Sequence, residues 1–154
     1  MISLNVTGFR ALRDVDLSIG DETDVALVLG NNGTGKSSLA AAIEYALTGS
    51  CDWTTAGGAG AEALIQHGAS RADIRLTIGD LDVTRTIHAG DASNVLAVNG
   101  YTSTKAKAEL ELRTPPVDVL RCMLRSDALV SLKPNDQKAV LVQLAGGSVD
   151  AEWV

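Results

Sequence analysis

Along the first twenty residues apolar and polar positions alternate. Ile2, Leu4 and Val6 are interleaved with Ser3, Asn5 and Thr7, and Val15, Leu17 and Ile19 with Asp14, Asp16 and Ser18. That period of two predicts two strands, each with one buried face, the first ending at Gly8. After the turn-forming stretch "SIGDETD" the pattern changes. Val25 to Gly30, "VALVLG", is apolar throughout, as in a strand covered on both faces of a sheet. Next comes "SSLAAAIEYALTG", where Leu39, Ala42, Ile43, Ala46 and Leu47 share one helical face and Gly49 supplies the stop. Ser50 to Gly60 reads as a surface loop and "AEALIQHG" as a short helix. "ADIRLTIGD" and "LDVTRTIHAGD" alternate again and form a hairpin around Gly79-Asp80, with "VLAVNG" a further short strand. From Lys105 the pattern turns helical: "KAKAELELR", then "PPVDVLRCML", then "PNDQKAVLVQLAGG", with Pro134 near an N-terminus and Gly146-Gly147 as its stop.

Between the apolar run and the first helix lies "LGNNGTGKSSL". Gly30, Gly35, Lys36 and Ser37 satisfy G-x-x-x-x-G-K-[ST], with the strand before and helix after that the motif requires. The residue types explain the chemistry. Gly33 and Gly35 let the backbone curl so that successive N–H groups face an anion. The N-terminus of the helix adds partial positive charge at the same point. Lys36 brings a full charge to the β- and γ-phosphates of a nucleotide, and the Ser37 hydroxyl is the ligand for the bridging Mg²⁺. Ser38 offers a second hydroxyl or a helix cap. The candidate phosphate contacts are therefore Asn31, Asn32, Gly33, Thr34, Gly35, Lys36, Ser37 and Ser38, with Ser37 the metal ligand.

Composition narrows the partners. The chain has 154 residues, a length typical of one domain, and 45% are apolar. A net charge of −6 argues against a broad basic face that grips nucleic acid directly, and 3% aromatic content argues against base-stacking platforms. Lys105 and Lys107 stand beside Glu109 and Glu111, which reads as a solvated helix face. Cys51 and Cys122 are far apart without a ligand pattern and read as reduced thiols; His67 and His88 have no ligand pattern either. The N-terminus lacks the features of a signal peptide and no apolar run approaches a membrane span, so a cytoplasmic location is expected, with no membrane partner.

The segments "ISLNVTGFRALRDVDLSI", "VALVLGNNGTGKSSLAAAIEYALTG", "LIQHGASRADIRLTIGD", "LDVTRTI" and "LVSLKPNDQKAVLVQLAGG" together resemble the N-terminal half of the ATPase head in the SMC/RecF/SbcC group of ABC-type ATPases. This group includes DNA double-strand-break repair ATPases that partner a nuclease. The resemblance implies an α/β P-loop NTPase fold: a mixed sheet around Val25–Leu29, an antiparallel β-layer and C-terminal helices. Within this N-terminal lobe the P-loop spans 30–37, a β insertion about 70–100 and a helical part about 104–147. It implies ATP and Mg²⁺ as cofactors, and adds Arg10, in "GFRAL", as a basic residue reaching the phosphates. Arg85 matches a strand position of the group, where a salt bridge is expected. It implies completion by a C-terminal lobe, from the same protein or a separate chain, after an intervening coiled coil. It also implies ATP-dependent pairing with a second head, DNA bound through the assembly, and a nuclease subunit.

Part of the catalytic set is missing. No run of four apolar residues ends in Asp-Glu, so nothing holds Mg²⁺ from its second side or orients the attacking water. "LAGGS", Leu144 to Ser148, reads as a double-glycine helix stop rather than a signature motif. Where the group carries a glutamine between its last two helices, this chain has Arg125, Ser126 and Asp127. No catalytic residue is assigned, and hydrolysis is expected only once a second lobe supplies the Walker B and signature motifs. The chain is expected to be the N-terminal part of a longer protein, or half of a head completed by another polypeptide. Two further readings stand beside the ATPase half-head. One is a nucleotide-gated dimerisation module with little or no hydrolysis. The other is a small-molecule P-loop kinase, disfavoured by the two amphipathic strands before the loop.

Overall fold

The computed structural model describes residues 1–23, 25–54, 60–90, 94–125 and 127–145. The chain forms two compact units, Met1–Arg113 and Thr114–Val154. In the first, six strands make one antiparallel sheet: β1 (Ile2–Phe9), β2 (Leu12–Ile19), β3 (Arg71–Ile78), β4 (Leu81–His88), β5 (Val95–Val98) and β6 (Tyr101–Thr102). Their order across the sheet is β2-β1-β3-β4-β5-β6. The alternation seen in the sequence sets the register. Leu4 pairs with Leu76 and Val6 with Ile74 across β1 and β3, and Leu76 pairs with Val83 across β3 and β4. All five side chains are buried, so one face of the sheet is a continuous apolar surface.

Helix α1 (Lys36–Thr48) packs on that surface against β1, β3 and β4. Ala41, Ala42, Tyr45, Ala46 and Leu47 are buried, and the Tyr45 and Phe9 rings lie 6.2 Å apart. Leu39 and Ile43, expected on the buried face, are only half-buried. Gly49 closes the helix at φ 75°, donating its N–H to the Tyr45 carbonyl at 2.9 Å. Arg85 serves the same helix end. Its Nε donates to the Ala46 carbonyl at 2.7 Å and its guanidinium lies 5.8 Å from the centre of the Tyr45 ring. A cation is thus bonded to one of the open carbonyls that end a helix, rather than to the carboxylate expected from sequence. Burial lowers the Arg85 pKa from the ordinary guanidinium value, opposed by its attraction to Tyr45.

Two expectations change. Gly8 does not end β1 but lies inside it at φ 65°, where a Cβ would stand 2.6 Å from the Arg71 carbonyl oxygen. Only glycine permits both that backbone geometry and the approach of β3. The second concerns Val25–Gly30, which forms no strand. Val25, Leu27 and Leu29 are 83%, 77% and 81% exposed. A strand buried on both faces needs a neighbour on each edge, and the sheet of described residues runs from β2 to β6 without it.

A 3-10 turn covers Ala61–Leu64, and α2 (Ser103–Arg113) packs on β5 and β6. In the second unit α3 (Val117–Leu124) packs against α4 (Ala128–Ser131) and α5 (Pro134–Leu144). Its buried apolar residues are Val119, Leu120 and Val140. The expected Gly146-Gly147 stop, Ser126 and most of the 144–148 segment lie outside the described residues, as does part of the 50–60 loop. Among the described residues no helix is long and apolar enough to cross a membrane.

The Tyr45 hydroxyl is buried without a hydrogen-bond partner among the described residues. Tyr45→Phe is therefore expected to stabilise the chain by about 1 kcal/mol in denaturant titration. Burial also raises the Tyr45 pKa, so the stability it supports is present below the ordinary phenol pKa and lost as pH rises through the folded value. The variant should lose less stability than the wild type above about pH 10.

Candidate functional site

The loop before α1 is built by its own short-range bonds. The Asn31 carbonyl accepts from Thr34 Oγ1 at 2.8 Å and from the Thr34 N–H at 3.4 Å, closing a tight turn over Asn32 and Gly33. Lys36 folds back across the turn. Its Nζ donates to the carbonyls of Gly30 at 2.7 Å and Asn31 at 2.6 Å. Gly35 caps the helix at φ 102°, with no side chain bonded to the helix start. The Leu39 N–H reaches the Gly35 carbonyl at 2.9 Å, whereas the amides of Lys36, Ser37 and Ser38 carry no backbone partner among the described residues. These are the open donors of a helix N-terminus, which the macrodipole makes attractive to an anion.

One close contact seats the loop. A Cβ at Gly35 would stand 2.7 Å from Leu12 Cδ2 and 3.7 Å from the Ala11 Cβ. Gly35 is therefore pressed against the tip of the β1–β2 hairpin. Arg10 occupies that tip, at φ 50° despite having a side chain, and its N–H donates to the Leu64 carbonyl at 2.7 Å. A non-glycine residue held there costs on the order of 1 kcal/mol. The Arg10 guanidinium carbon lies 3.6 Å from the centre of the Trp53 ring. Its Nε is buried without a hydrogen-bond partner among the described residues.

A family model described as an AAA domain, AAA_23, matches residues 3–120. The chain belongs to that family. The AAA domain is also similar to a solved chain from work on the ATP-driven dimerization and DNA-stimulated activation of SMC ATPases. The TM-score is 0.61 at 18% identity, over 92% of this chain and 97% of the other. The fold is that of the N-terminal half of an SMC-like ATPase head. No curated protein matches the chain significantly.

Within this AAA domain the candidate residues fall into three settings. Asn31, Asn32, Gly33 and Thr34 form the exposed turn, while Gly35 and Lys36 join it to the helix. Ser37 is exposed in the first turn of α1, whereas Ser38 is 5% exposed and lies inside the helix, so Ser38 is not its cap. Arg10 reaches the neighbourhood through the hairpin. Arg125, where the resemblance calls for a glutamine, is bonded through Nε and Nη2 to both oxygens of Asp127, at 3.2 and 2.6 Å. Trp53 was not foreseen from the sequence. The one signal was a tryptophan soon after the loop's helix in a chain with 3% aromatic residues.

Seating against the hairpin makes Gly35 the sensitive glycine of the turn. Gly35→Ala is expected to cost about 1–3 kcal/mol in stability, because strain at φ 102° adds to the collision with Leu12. Gly33→Ala meets no atom within 4 Å and should cost less. Thermal denaturation of the two variants checks the ranking.

Proposed function

We propose that this SMC-like head half binds ATP·Mg²⁺ at residues 30–38 and that nucleotide-driven closure of a completed head is its activity. One observation carries the reading. The Lys36, Ser37 and Ser38 amides, without a backbone partner among the described residues, and the Lys36 ammonium lie on one short turn, and among those residues the ammonium is engaged only by loop carbonyls. Such donors fit phosphate oxygens. In this reading Asn31 to Gly35 shape the cradle, Lys36 and the helix amides hold phosphate, and Ser38 supports the helix start from within. Arg10 supplies a further cation from the tip of the hairpin that presses on Gly35, its Nε having no hydrogen-bond partner among the described residues. Ser37 offers its exposed hydroxyl to Mg²⁺, which when bound neutralises the β- and γ-phosphate charge.

The exposed run Val25, Leu27, Val28 and Leu29 supports completion by a second lobe, from the same protein or a separate chain. Each of these side chains gains about 1.5–3 kcal/mol when fully buried, so a lobe that pairs with the run recovers a large apolar term. Pairing with a second head, action on DNA and a nuclease subunit follow from the resemblance. The similarity to a chain studied for ATP-driven dimerization and DNA-stimulated activation supports the first two. The Walker B and signature motifs would enter with the second lobe, and hydrolysis with them. A second reading, a nucleotide-gated module with little turnover, is favoured by the paired Arg125 and Asp127 in the region where a glutamine is expected.

Calorimetric titration with ATP·Mg²⁺, with phosphate release followed in the same samples, tests the proposal. Wild-type binding should be weakened about ten- to hundredfold by Lys36→Ala, without turnover by the chain alone. Turnover by the wild-type chain alone would refute the split-head reading. Arg10→Gly separates binding from folding. It should relieve the strain at φ 50°, leaving stability equal or higher, while weakening ATP. A melting curve and a titration of the same variant check both halves.

A further inference from the structure

Trp53 is the best-supported side chain outside the loop with nothing yet to do. It lies in a turn that is bonded tightly on itself. Thr54 donates both its N–H and its Oγ1 to the Cys51 carbonyl at 2.9 Å, and the Cys51 N–H donates to Thr54 Oγ1 at 2.9 Å. Just before it, Thr48 Oγ1 donates to the Ser50 carbonyl at 2.7 Å, tying the turn to the end of α1. The indole is thus presented from the far end of the helix that the nucleotide loop begins. It remains 41% exposed, so burying an apolar ring does not account for its place.

What the ring touches is the Arg10 guanidinium, 3.6 Å from the ring centroid. An arginine with five donors ordinarily fixes its head group through carboxylates or carbonyls. Arg75, Arg113 and Arg125 all do so here. Arg10 makes no such bond among the described residues, and its Nε is buried and unpartnered. A flat π-face orients a guanidinium without occupying any of its N–H groups. The hairpin fixes the backbone of Arg10 at the tip that presses on Gly35, the indole faces its head, and no carboxylate or carbonyl among the described residues takes its donors.

We propose that Trp53 is a positioning residue for the phosphate site, fixing the Arg10 guanidinium in plane so that its donors are free for nucleotide phosphate. This deepens the nucleotide-binding proposal and rests on it. Trp53 itself touches no ligand in this scheme. Its contribution passes through Arg10 and vanishes when Arg10 is removed.

The test is a double-variant cycle on the full chain, read as the ATP·Mg²⁺ dissociation constant by calorimetry. Trp53→Leu, which keeps an apolar side chain without a π-face, should weaken ATP about fivefold. Trp53→Phe should restore most of that loss, since a benzene ring still offers a face to the cation. In an Arg10→Ala background, Trp53→Leu should change the dissociation constant no further. A Trp53→Leu affinity equal to wild type would overturn the inference while leaving the nucleotide site intact. A fivefold loss that persists without Arg10 would also overturn it, assigning the indole to the ligand directly or to the fold. Failure of the wild-type chain to bind ATP at all would overturn both readings together. The Trp53→Phe arm guards against misfolding, because a loss rescued by another aromatic ring is not a loss of fold.

Discussion

Strand β1 is hydrogen-bonded along both edges, antiparallel to β2 on one side and β3 on the other, and the position of the loop depends on this pairing. A central strand has little freedom to slip, because a shift of one residue would turn Leu4 and Val6 to solvent. Its far end is therefore a fixed point. Phe9 is buried against Tyr45 of the first helix, and the next two residues make the hairpin tip that presses on Gly35. The hairpin thus touches the helix through Phe9 and the loop through its tip. The glycine inside β1 serves the same end, letting β3 approach closely enough for the register to close.

The two ends of the loop before α1 are anchored unequally. On its helix side it is held by the hairpin contact at Gly35 and by a helix whose last turn is bonded to Gly49 and Arg85. On its strand side Val25 to Leu29 are exposed and outside the sheet. A loop of this kind is commonly described as a strand, a turn and a helix. Here the helix side alone is enough to close the turn, because the bonds that shape it are local: Thr34 to Asn31, and Lys36 to Gly30 and Asn31.

The features that were legible in the sequence are those carried by local pattern. The alternation at Ile2–Val6 and Val15–Ile19 gave two strands, the turn at Gly79-Asp80 gave the β3–β4 hairpin, and Gly49 marked the helix end. The apolar run Val25–Gly30 was misleading for a physical reason. Apolarity records the surroundings a segment is suited to, and says nothing about which stretch of chain provides them. Gly8 looked like a terminator because a glycine's need for close approach depends on Arg71, far along the chain. Arg85 was legible as a cation that wants a partner, yet its partner is a backbone carbonyl, which no side-chain pattern reveals. The Arg10–Trp53 stack was invisible for the same reason. It joins residues brought together only by the hairpin and by the turn after the helix.

The two bonds that hold the Lys36 ammonium have a thermodynamic consequence. A free lysine side chain loses about 2 kcal/mol of rotamer entropy when it is fixed, a cost usually met at the moment of binding. Here the ammonium is already tethered to Gly30 and Asn31 at 2.7 and 2.6 Å. An arriving anion would exchange carbonyl oxygens for its own and restrain no new torsions. A site of that kind would be preorganised, its selectivity coming from comparing two sets of acceptors around a stationary charge rather than from ordering the charge itself.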